Sequence, residues 1–297
     1  MSAVSLDAAS GRARRRHPAL LFLKTQPLGT FGLAVIVLMT VAALIPQIIA
    51  PYDPETVDFA SMLTAPSLAH PLGTDAFGRD VLTRVIYGAR TALGLGFLSS
   101  LIGSVIGAVL GVAAAYFRGT FDLVVQGITD IFLSFPIIIL ALVVVSVLGK
   151  GESLGIHWNL VAAIAVPIAP NVARVVRAAA LAIREMPYID AARAAGYSHR
   201  RIIFRHMLPN IMAPWLIMFT AFIAQAILLE ASLSFLGLGI SEPTASWGVM
   251  LSGHAADFYS EAPWMILFPG LAISLAVFAF NLFGDSLRDW LDPRLKI

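Results

Sequence analysis

The stretch "DAARAAGYSHRRIIFRHMLPN", residues 190–210, interrupts a very hydrophobic chain between two long apolar runs. Pro187, just before it, suits the first turn of a helix, because its missing N–H costs nothing there. Gly196 suits the left-handed turn that ends a helix, and Ser198 can cap the helix that follows. The stretch therefore predicts a short helix, a sharp glycine turn and a second helix that Pro209 breaks.

The rest of the chain has the composition of a membrane protein. Of its 297 residues, 58% are hydrophobic and 13% are charged, whereas soluble domains are about 45–50% apolar and about 25% charged. A spanning helix needs about 20 mostly apolar residues. Uncharged windows of this kind cover residues 25–52, 91–117, 131–149, 153–173, 206–229 and 262–284. The sequence thus predicts an all-α integral membrane protein with six transmembrane helices. The first window is too long for a secretory signal, and five more follow it.

The basic residues predict the orientation of these helices. Sixteen of the 20 Lys and Arg residues lie in the N-terminus, at Arg118, in the 174–205 region or in the C-terminal tail. Only four lie in the alternate segments, 53–90, 150–157 and 237–261. Because cytoplasmic loops carry the excess of positive charge, the N- and C-termini and the 190–210 stretch are predicted to be cytoplasmic.

This topology divides the chain into five parts. They are a cytoplasmic N-terminal arm (1–24), a first transmembrane helix (25–52), an extracytoplasmic segment (53–90), a core of five transmembrane helices with a cytoplasmic loop at 184–210 (91–286), and a cytoplasmic tail (287–297). Within 53–90, the apolar residues from Val81 to Ile86 recur at helical spacing, which predicts a surface-lying helix that leads into the second span.

Several charged residues have two open interpretations. Asp75, Arg79 and Asp80 could pair with one another and with Arg84, or they could contact a partner protein. A charge inside a membrane helix is costly unless it faces water or a partner. Glu230 therefore either lines a pathway or gate, or lies in water near a helix end.

Glycines at positions 103, 107 and 111 share one helix face of the second span. Small residues at this spacing let helix backbones approach closely, and most such faces pack within the same chain.

The chain lacks the motifs of enzyme chemistry. It has no Cys, no glycine loop with Lys and Ser/Thr for nucleotide phosphates, and no paired His and Glu for a zinc hydrolase. Ser252, in "GVMLSGH", lacks the strand–turn–helix setting of a catalytic serine. We therefore expect no catalytic residue, no metal, no cofactor bound by this chain and no nucleic-acid partner.

The 184–210 loop could simply connect two spans. Its length and its helix–glycine–helix arrangement argue against that interpretation. Its first helix is rich in alanine, and a small-residue face suits docking into a groove on another protein, where backbones come close.

Four motifs resemble those of a known family. Asp190-Ala191-Ala192 with Gly196 and Leu208-Pro209 resembles the EAA loop of ABC-importer permeases, although Asp replaces the usual Glu. His206 replaces the usual Ile, as is typical of the peptide branch. The segments "HPLGTDAFGRDVLTRVIYGAR" (70–90), "SLSFLGLG" (232–239) and "NLFGDSLRDWLDPR" (281–294) resemble dipeptide and oligopeptide permeases of the DppC/OppC type. The resemblance covers nearly the whole chain after residue 25.

The resemblance implies a type I ABC importer permease fold in a multi-pass protein of the bacterial plasma membrane. It implies an ATP-driven importer of dipeptides or oligopeptides, with a second permease of the DppB/OppB type and a binding protein of the DppA/OppA type. Two ATPase domains of the DppD/DppF type would hold ATP and Mg²⁺. Alternatives are import of nickel or another small solute by the same family, a secondary transporter that needs no ATPase, and a membrane enzyme that acts alone.

The resemblance also assigns expected roles to residues. The residues expected to couple the permease to the ATPases are Tyr188, Asp190, Ala191, Ala192, Ala195, Gly196, Leu208 and Pro209. Contact with the binding protein is expected at Asp75, Arg79 and Asp80, and a possible gate at Glu230. ATP-driven movement of the helix that ends at Gly196 would rock the spans between inward- and outward-facing states.

Overall fold

The structure is a computed structural model that describes residues 18–149, 151–153 and 155–291. The α-helices are α1 (Pro18–Thr25), α2 (Pro27–Leu44), α3 (Pro46–Ile49), α4 (Val81–Phe117), α5 (Gly119–Leu133), α6 (Ile137–Leu148), α7 (Trp158–Arg184), α8 (Pro187–Ala194), α9 (His199–Ile202), α10 (Leu208–Phe235), α11 (Trp247–Leu251), α12 (His254–Asp257) and α13 (Trp264–Leu291). A 3₁₀ turn spans Phe59–Ser61, a π-helical segment spans Ile203–Met207, and β1 (Glu152–Ser153) pairs antiparallel with β2 (Ile156–His157).

Five helical stretches in the described part are long and apolar enough to cross a membrane. They are α2, α4, α7, the continuous stretch His199–Phe235, and α13. The helices α5 and α6 form a sixth span if the pair is counted as one, although they meet at an angle of 96°. Pro136 lies at this bend, where the residue before a proline is pushed out of helical geometry. The predicted all-α fold with six spans is therefore consistent with the upper count.

The helix expected to lead into the second span is present as the first part of α4, because the helix runs without a break from Val81 to Phe117. It does not lie on the surface, since Val81, Thr83 and Arg84 are buried. Asp80 starts this helix by accepting a hydrogen bond from the Thr83 N–H at 2.8 Å. The window 153–173 also ends too early, since α7 continues to Arg184.

Ion pairs accompany the part of α7 that lies beyond the apolar window. Arg177 donates two hydrogen bonds of 2.6 Å to Asp122 of α5, and Arg174 donates to Asp130, which is exposed near the end of α5. Paired in this way, the arginines lie on a helix that continues beyond the apolar window.

The core is built on close packing between α4 and α7. A Cβ added at Gly103, Gly107 or Gly111 would lie 2.5–2.8 Å from a backbone carbonyl oxygen of α7. Real Cβ atoms do not come so close, so only glycine permits this approach. The glycine face predicted from the sequence thus packs against a helix of the same chain. Around this pair, α10 packs on α4 and α13, and α2 packs on α13.

The two ends of α4 mark the two ends of the molecule. At one end, the indole N–H of Trp247 donates to the carbonyl of Val85 at 2.9 Å. At the other end, the hydroxyl of Tyr116 and Nδ1 of His199 are 2.7 Å apart. Val85 and Tyr116 are separated by about 45 Å at 1.5 Å per residue. The 184–210 segment therefore lies at the end opposite the 53–80 and 236–246 segments.

Candidate functional site

The coupling segment, residues 184–210, contains the predicted helix and glycine turn. Pro187 is in the first turn of α8. Gly196 has a φ of +73°, and its N–H donates to the carbonyl of Arg193 at 2.9 Å. The N–H of Tyr197 donates to the carbonyl of Ala192 at 3.1 Å. This pair of hydrogen bonds is the Schellman arrangement, in which glycine takes the left-handed position. The sequence-based prediction of a short helix closed by Gly196 is confirmed.

The second half of the segment differs from the prediction. Ser198 starts α9 by accepting a hydrogen bond from the Arg201 N–H at 3.4 Å. The chain then continues through the π-helical segment directly into α10, so the prediction that Pro209 breaks the helix is wrong. Pro209 lies in the first turn of α10, where a missing N–H is tolerated. The wider π turn before it accommodates the changed hydrogen-bond register.

The residues expected to contact the ATPases fall on two sides of the segment. Six of these residues are exposed: Tyr188, Asp190, Ala191, Ala195, Gly196 and Pro209. A Cβ added at Gly196 would meet nothing within 4 Å. Ala192 is buried at 6% exposure, and Leu208 is half-buried. Most of the predicted residues are therefore exposed, and we call their exposed surface the docking face, whereas Ala192 is turned inward.

Ile189 is the residue of this segment that the sequence analysis missed. It is fully buried in the same apolar core as Ala192, Ile202 and Met207. The spacing of Ile189 and Ala192, three positions apart, is the signal of an inward helical face. The buried side of α8 therefore belongs to the same apolar core as Ile211 at the start of α10.

Aromatic and basic residues complete the support of the glycine turn. The guanidinium of Arg201 lies 3.8 Å from the ring centroid of Tyr197, a favourable cation–π position. The ring of His206, the residue typical of the peptide branch, stacks on the same tyrosine with centroids 5.9 Å apart. Asn210 donates to the His206 carbonyl at 2.7 Å. Tyr197, the residue that follows the glycine, is thus in contact with both Arg201 and His206.

The opposite end of the molecule contains a network of mostly buried charges joined to the exposed Glu242, which we call the outer network. Arg79 donates to Asp75 at 2.7 Å and to Glu242 at 2.5 Å. Arg84, only 1% exposed, approaches Glu242 at 3.4 Å. Asp80 is within 3.0 Å of Nδ1 of His70. The geometry therefore supports the interpretation in which these charged residues pair within the chain. Direct contact with a partner protein stays a prediction, because Asp75, Arg79 and Asp80 are buried in this conformation.

The pKa values in the outer network follow from burial and pairing. Partial burial raises the pKa of the half-exposed Glu242, but the hydrogen bond from Arg79 and the positive charge of Arg84 outweigh it, so the net pKa lies below its ordinary value. Burial lowers the pKa of Arg79, and its bonds to Glu242 and Asp75 reverse this to a net rise. Glu242 was not singled out from the sequence, since no local pattern links it to a partner 163 residues away.

Glu230 is completely buried, which rules out the interpretation that it meets water near a helix end. Its Oε1 accepts hydrogen bonds from the hydroxyls of Ser234 at 2.9 Å and Ser246 at 2.8 Å. The Ser234 hydroxyl accepts from the Ile240 N–H, and the Ser246 hydroxyl accepts from the Gly248 N–H. Glu230 therefore ties the 236–246 segment to α10. Its role as a gate stays a prediction.

The described residues thus form a multi-span helical membrane protein with a partly exposed short helix, α8, at one end of its bundle. Residues 103–297 match the family described as "Binding-protein-dependent transport system inner membrane component". Residues 18–66 match "N-terminal TM domain of oligopeptide transport permease C". The chain belongs to this family of ABC-importer permeases and is a multi-pass inner membrane protein. Permease subunits of the family are not themselves catalytic.

Curated relatives support the same assignment over almost the whole chain. The glutathione transport system permease protein GsiD of Pectobacterium atrosepticum is 41% identical over 276 residues, which are 93% of this chain and 89% of that protein. The dipeptide transport system permease protein DppC of Alkalihalophilus pseudofirmus is 40% identical over 274 residues, which are 92% and 88% of the two chains. The predicted DppC/OppC-type resemblance is confirmed.

A solved structure confirms the type I permease fold. A chain of the MetNI methionine ABC transporter, in an inward-facing conformation, superimposes with a TM-score of 0.56 at 21% identity. The match covers 71% of this chain and 98% of that one.

Proposed function

We propose that this chain is one transmembrane subunit of an ATP-driven importer that carries dipeptides and other short peptides into the bacterial cell. The observation that carries the proposal is the 40–41% identity, across nearly the full length, to permeases named for dipeptide and glutathione transport. Glutathione is itself a tripeptide, so both names describe short peptides.

The working complex would contain four kinds of subunit. A homologous permease of the DppB/OppB type would pair with this chain in the membrane. Two ATPase domains of the DppD/DppF type would bind ATP and Mg²⁺, hydrolyse ATP and dock on the coupling segment. A DppA/OppA-type binding protein would deliver cargo to the outer face. This chain would bind no cofactor, and both of its termini would be cytoplasmic.

The docking face supports the coupling role. Its small exposed residues, such as Ala191 and Ala195, allow close backbone approach, and Tyr188 adds an aromatic contact. Behind them, Ile189 and Ala192 are packed into the bundle. A force applied to α8 would therefore pass to the transmembrane helices rather than bend a loose loop. Coupling requires that the ATP-bound ATPases prefer one permease conformation.

On the outer side, Asp75, Arg79 and Asp80 would act on the binding protein through the surface they hold in place. Their bonds order the 53–80 segment, whose exposed residues include Phe59 and Leu68. Glu230 would act as a gate by holding or releasing the 236–246 segment.

Reconstitution of the complete complex in liposomes tests the proposal. With the loaded binding protein outside and ATP inside, we expect uptake of a labelled dipeptide that stops when the ATPase subunits carry an inactivating substitution. Uptake that continues without the ATPases, driven by an ion gradient, would identify a secondary transporter. Uptake of nickel without any uptake of peptide would show that the cargo assignment is wrong.

A further inference from the structure

A cavity of about 580 Å³ with a mixed polar and apolar lining lies at the outer end of the bundle. We call it the outer cavity. Its polar lining residues are Glu55, Tyr87, Arg90, Thr91, His157 and Thr244. Ligand pockets of proteins measure roughly 300–1,000 Å³, so this volume suits a small molecule.

Helix α4 supplies one continuous wall of this cavity. Tyr87, Arg90, Thr91 and Gly94 recur at intervals that place them on one helix face. A Cβ added at Gly94 would meet nothing within 4 Å, so the wall is open at this point. The hydroxyl of Thr91 donates to the carbonyl of Ala245 at 3.0 Å, which joins this wall to the 236–246 segment. The wall therefore connects the cavity to the segment that Glu230 and the outer network also hold.

The charged side chains of the outer cavity differ from those of the outer network in having no charged partner among the described residues. Arg79 and Arg84 are both paired with Glu242. In contrast, the guanidinium of Arg90 and the carboxylate of Glu55 are exposed, and neither has a hydrogen bond or ion pair with the residues that the structure describes. One positive and one negative group thus line the same cavity, and neither is paired with another described residue.

Arg90 is also the last charge before an uncharged run that extends to Phe117. A guanidinium presents donors in a rigid fork that matches a carboxylate with two parallel hydrogen bonds. A carboxylate that enters the outer cavity would find a bidentate donor in this guanidinium. A primary ammonium group would find its partner in the Glu55 carboxylate.

We propose that the outer cavity receives the terminal charges of a peptide as it passes from the binding protein into the membrane path. Arg90 binds the C-terminal carboxylate, and Glu55 attracts the N-terminal ammonium group. Every unmodified linear peptide carries both groups whatever its side chains, so this site recognises the class of cargo rather than one sequence. The inference rests on the proposed peptide-import function.

Uptake by the reconstituted complex tests the role of Arg90. Free-acid and C-terminally amidated forms of one labelled dipeptide are compared at saturating, separately verified loading of the binding protein. In Arg90→Gln we expect the maximal uptake rate of the free acid to fall about tenfold, in line with the loss of one charge-assisted contact. Uptake of the amide should change less than twofold, and Arg90→Lys should retain part of the free-acid rate.

The amide serves as the control for folding and assembly, because a structural defect lowers both rates. An equal fall for both peptides would overturn the proposal and would indicate that Arg90 pairs with the second permease or with a lipid phosphate. Unchanged uptake of the free acid would also overturn it. The corresponding test of Glu55 measures the uptake of a free dipeptide and of its N-acetylated form by the wild type and by Glu55→Gln. Failure of the wild-type complex to import any peptide would instead contradict the proposed function.

Discussion

Replacing Gly196 tests whether the glycine turn couples the permease to its ATPases. The residue has a φ of +73°, and a Cβ at this position would meet nothing within 4 Å. The cost of a side chain is therefore backbone strain alone, about 1–2 kcal/mol for an ordinary L-residue. A β-branched residue is the least suited to this region, whereas Asn tolerates it.

Strain of this size lowers the equilibrium ratio of molecules with the native turn to molecules with an unwound turn by a factor of about 5–30. Unwinding would break the hydrogen bonds that Gly196 and Tyr197 donate to the end of α8, and it would reorient the docking face. We expect Gly196→Val to lower peptide uptake and binding-protein-stimulated ATP hydrolysis several-fold in liposomes. Gly196→Asn should stay close to the wild type. Membrane insertion and thermal unfolding should change little, because the turn is exposed.

A control variant at another glycine with a positive φ shows whether the effect depends on the position of the strain. Gly149 also has a positive φ, +63°, with open space where a Cβ would lie, and it is outside the coupling segment. Gly149→Val also places a β-branched residue at a positive φ and should leave stimulated hydrolysis within about twofold of the wild type, since about 1 kcal/mol of local strain elsewhere is not transmitted to α8. Normal uptake by Gly196→Val, in a complex that retains its ATPases, would refute the coupling role.

Three further predictions concern the bundle and its outer end. Gly107→Leu should lower the thermal unfolding temperature in detergent strongly, because its Cβ would lie 2.5 Å from a carbonyl oxygen of α7. Gly270→Leu, with open space at the Cβ, is the control, and equal effects would contradict the packing account. Glu230→Ala should destabilise by about 1–3 kcal/mol through unpaired hydroxyls, while Glu230→Gln keeps an acceptor and should cost less. Equal losses in both variants would argue against the hydrogen-bonding role. The lowered pKa of Glu242 implies a stabilisation that is present above its ordinary value of 4.5 and is lost as the pH falls through the lower folded value. The difference in unfolding temperature between wild type and Glu242→Gln should shrink at such acidic pH, and a difference independent of pH would refute this assignment.

Much of the membrane architecture is readable from local composition. Apolar windows locate the spans, because hydrocarbon excludes charge over about 20 residues. The same reasoning fails at α7, where Arg174 and Arg177 are paired with aspartates of α5 and lie on a helix that the window search ends at residue 173. It also fails at Pro209, because the prediction treats each proline alone and ignores the π-helical segment before it.

The candidate sites also differ in how much of each can be predicted from the sequence. The glycine turn at Gly196 is local chemistry, since a left-handed residue and two short-range hydrogen bonds define it. The inward side of α8 is partly readable, because Ile189 and Ala192 lie one helical turn apart. The partner of Arg79 is not readable, since Glu242 is 163 residues away.

The sequence by itself therefore determined the class of the protein: its spans, the predicted sidedness from its basic residues, and the helix–glycine–helix form of the coupling segment. Each of these features depends on residues that are close in sequence or on the solvent around those residues. Only the tertiary structure decided that the glycine face packs on α7, that Glu230 is a buried anchor, and that Arg79 and Arg84 are paired while Arg90 has no partner among the described residues. These outcomes depend on which distant segments meet, and long-range pairing leaves no periodic or compositional signal in a single chain.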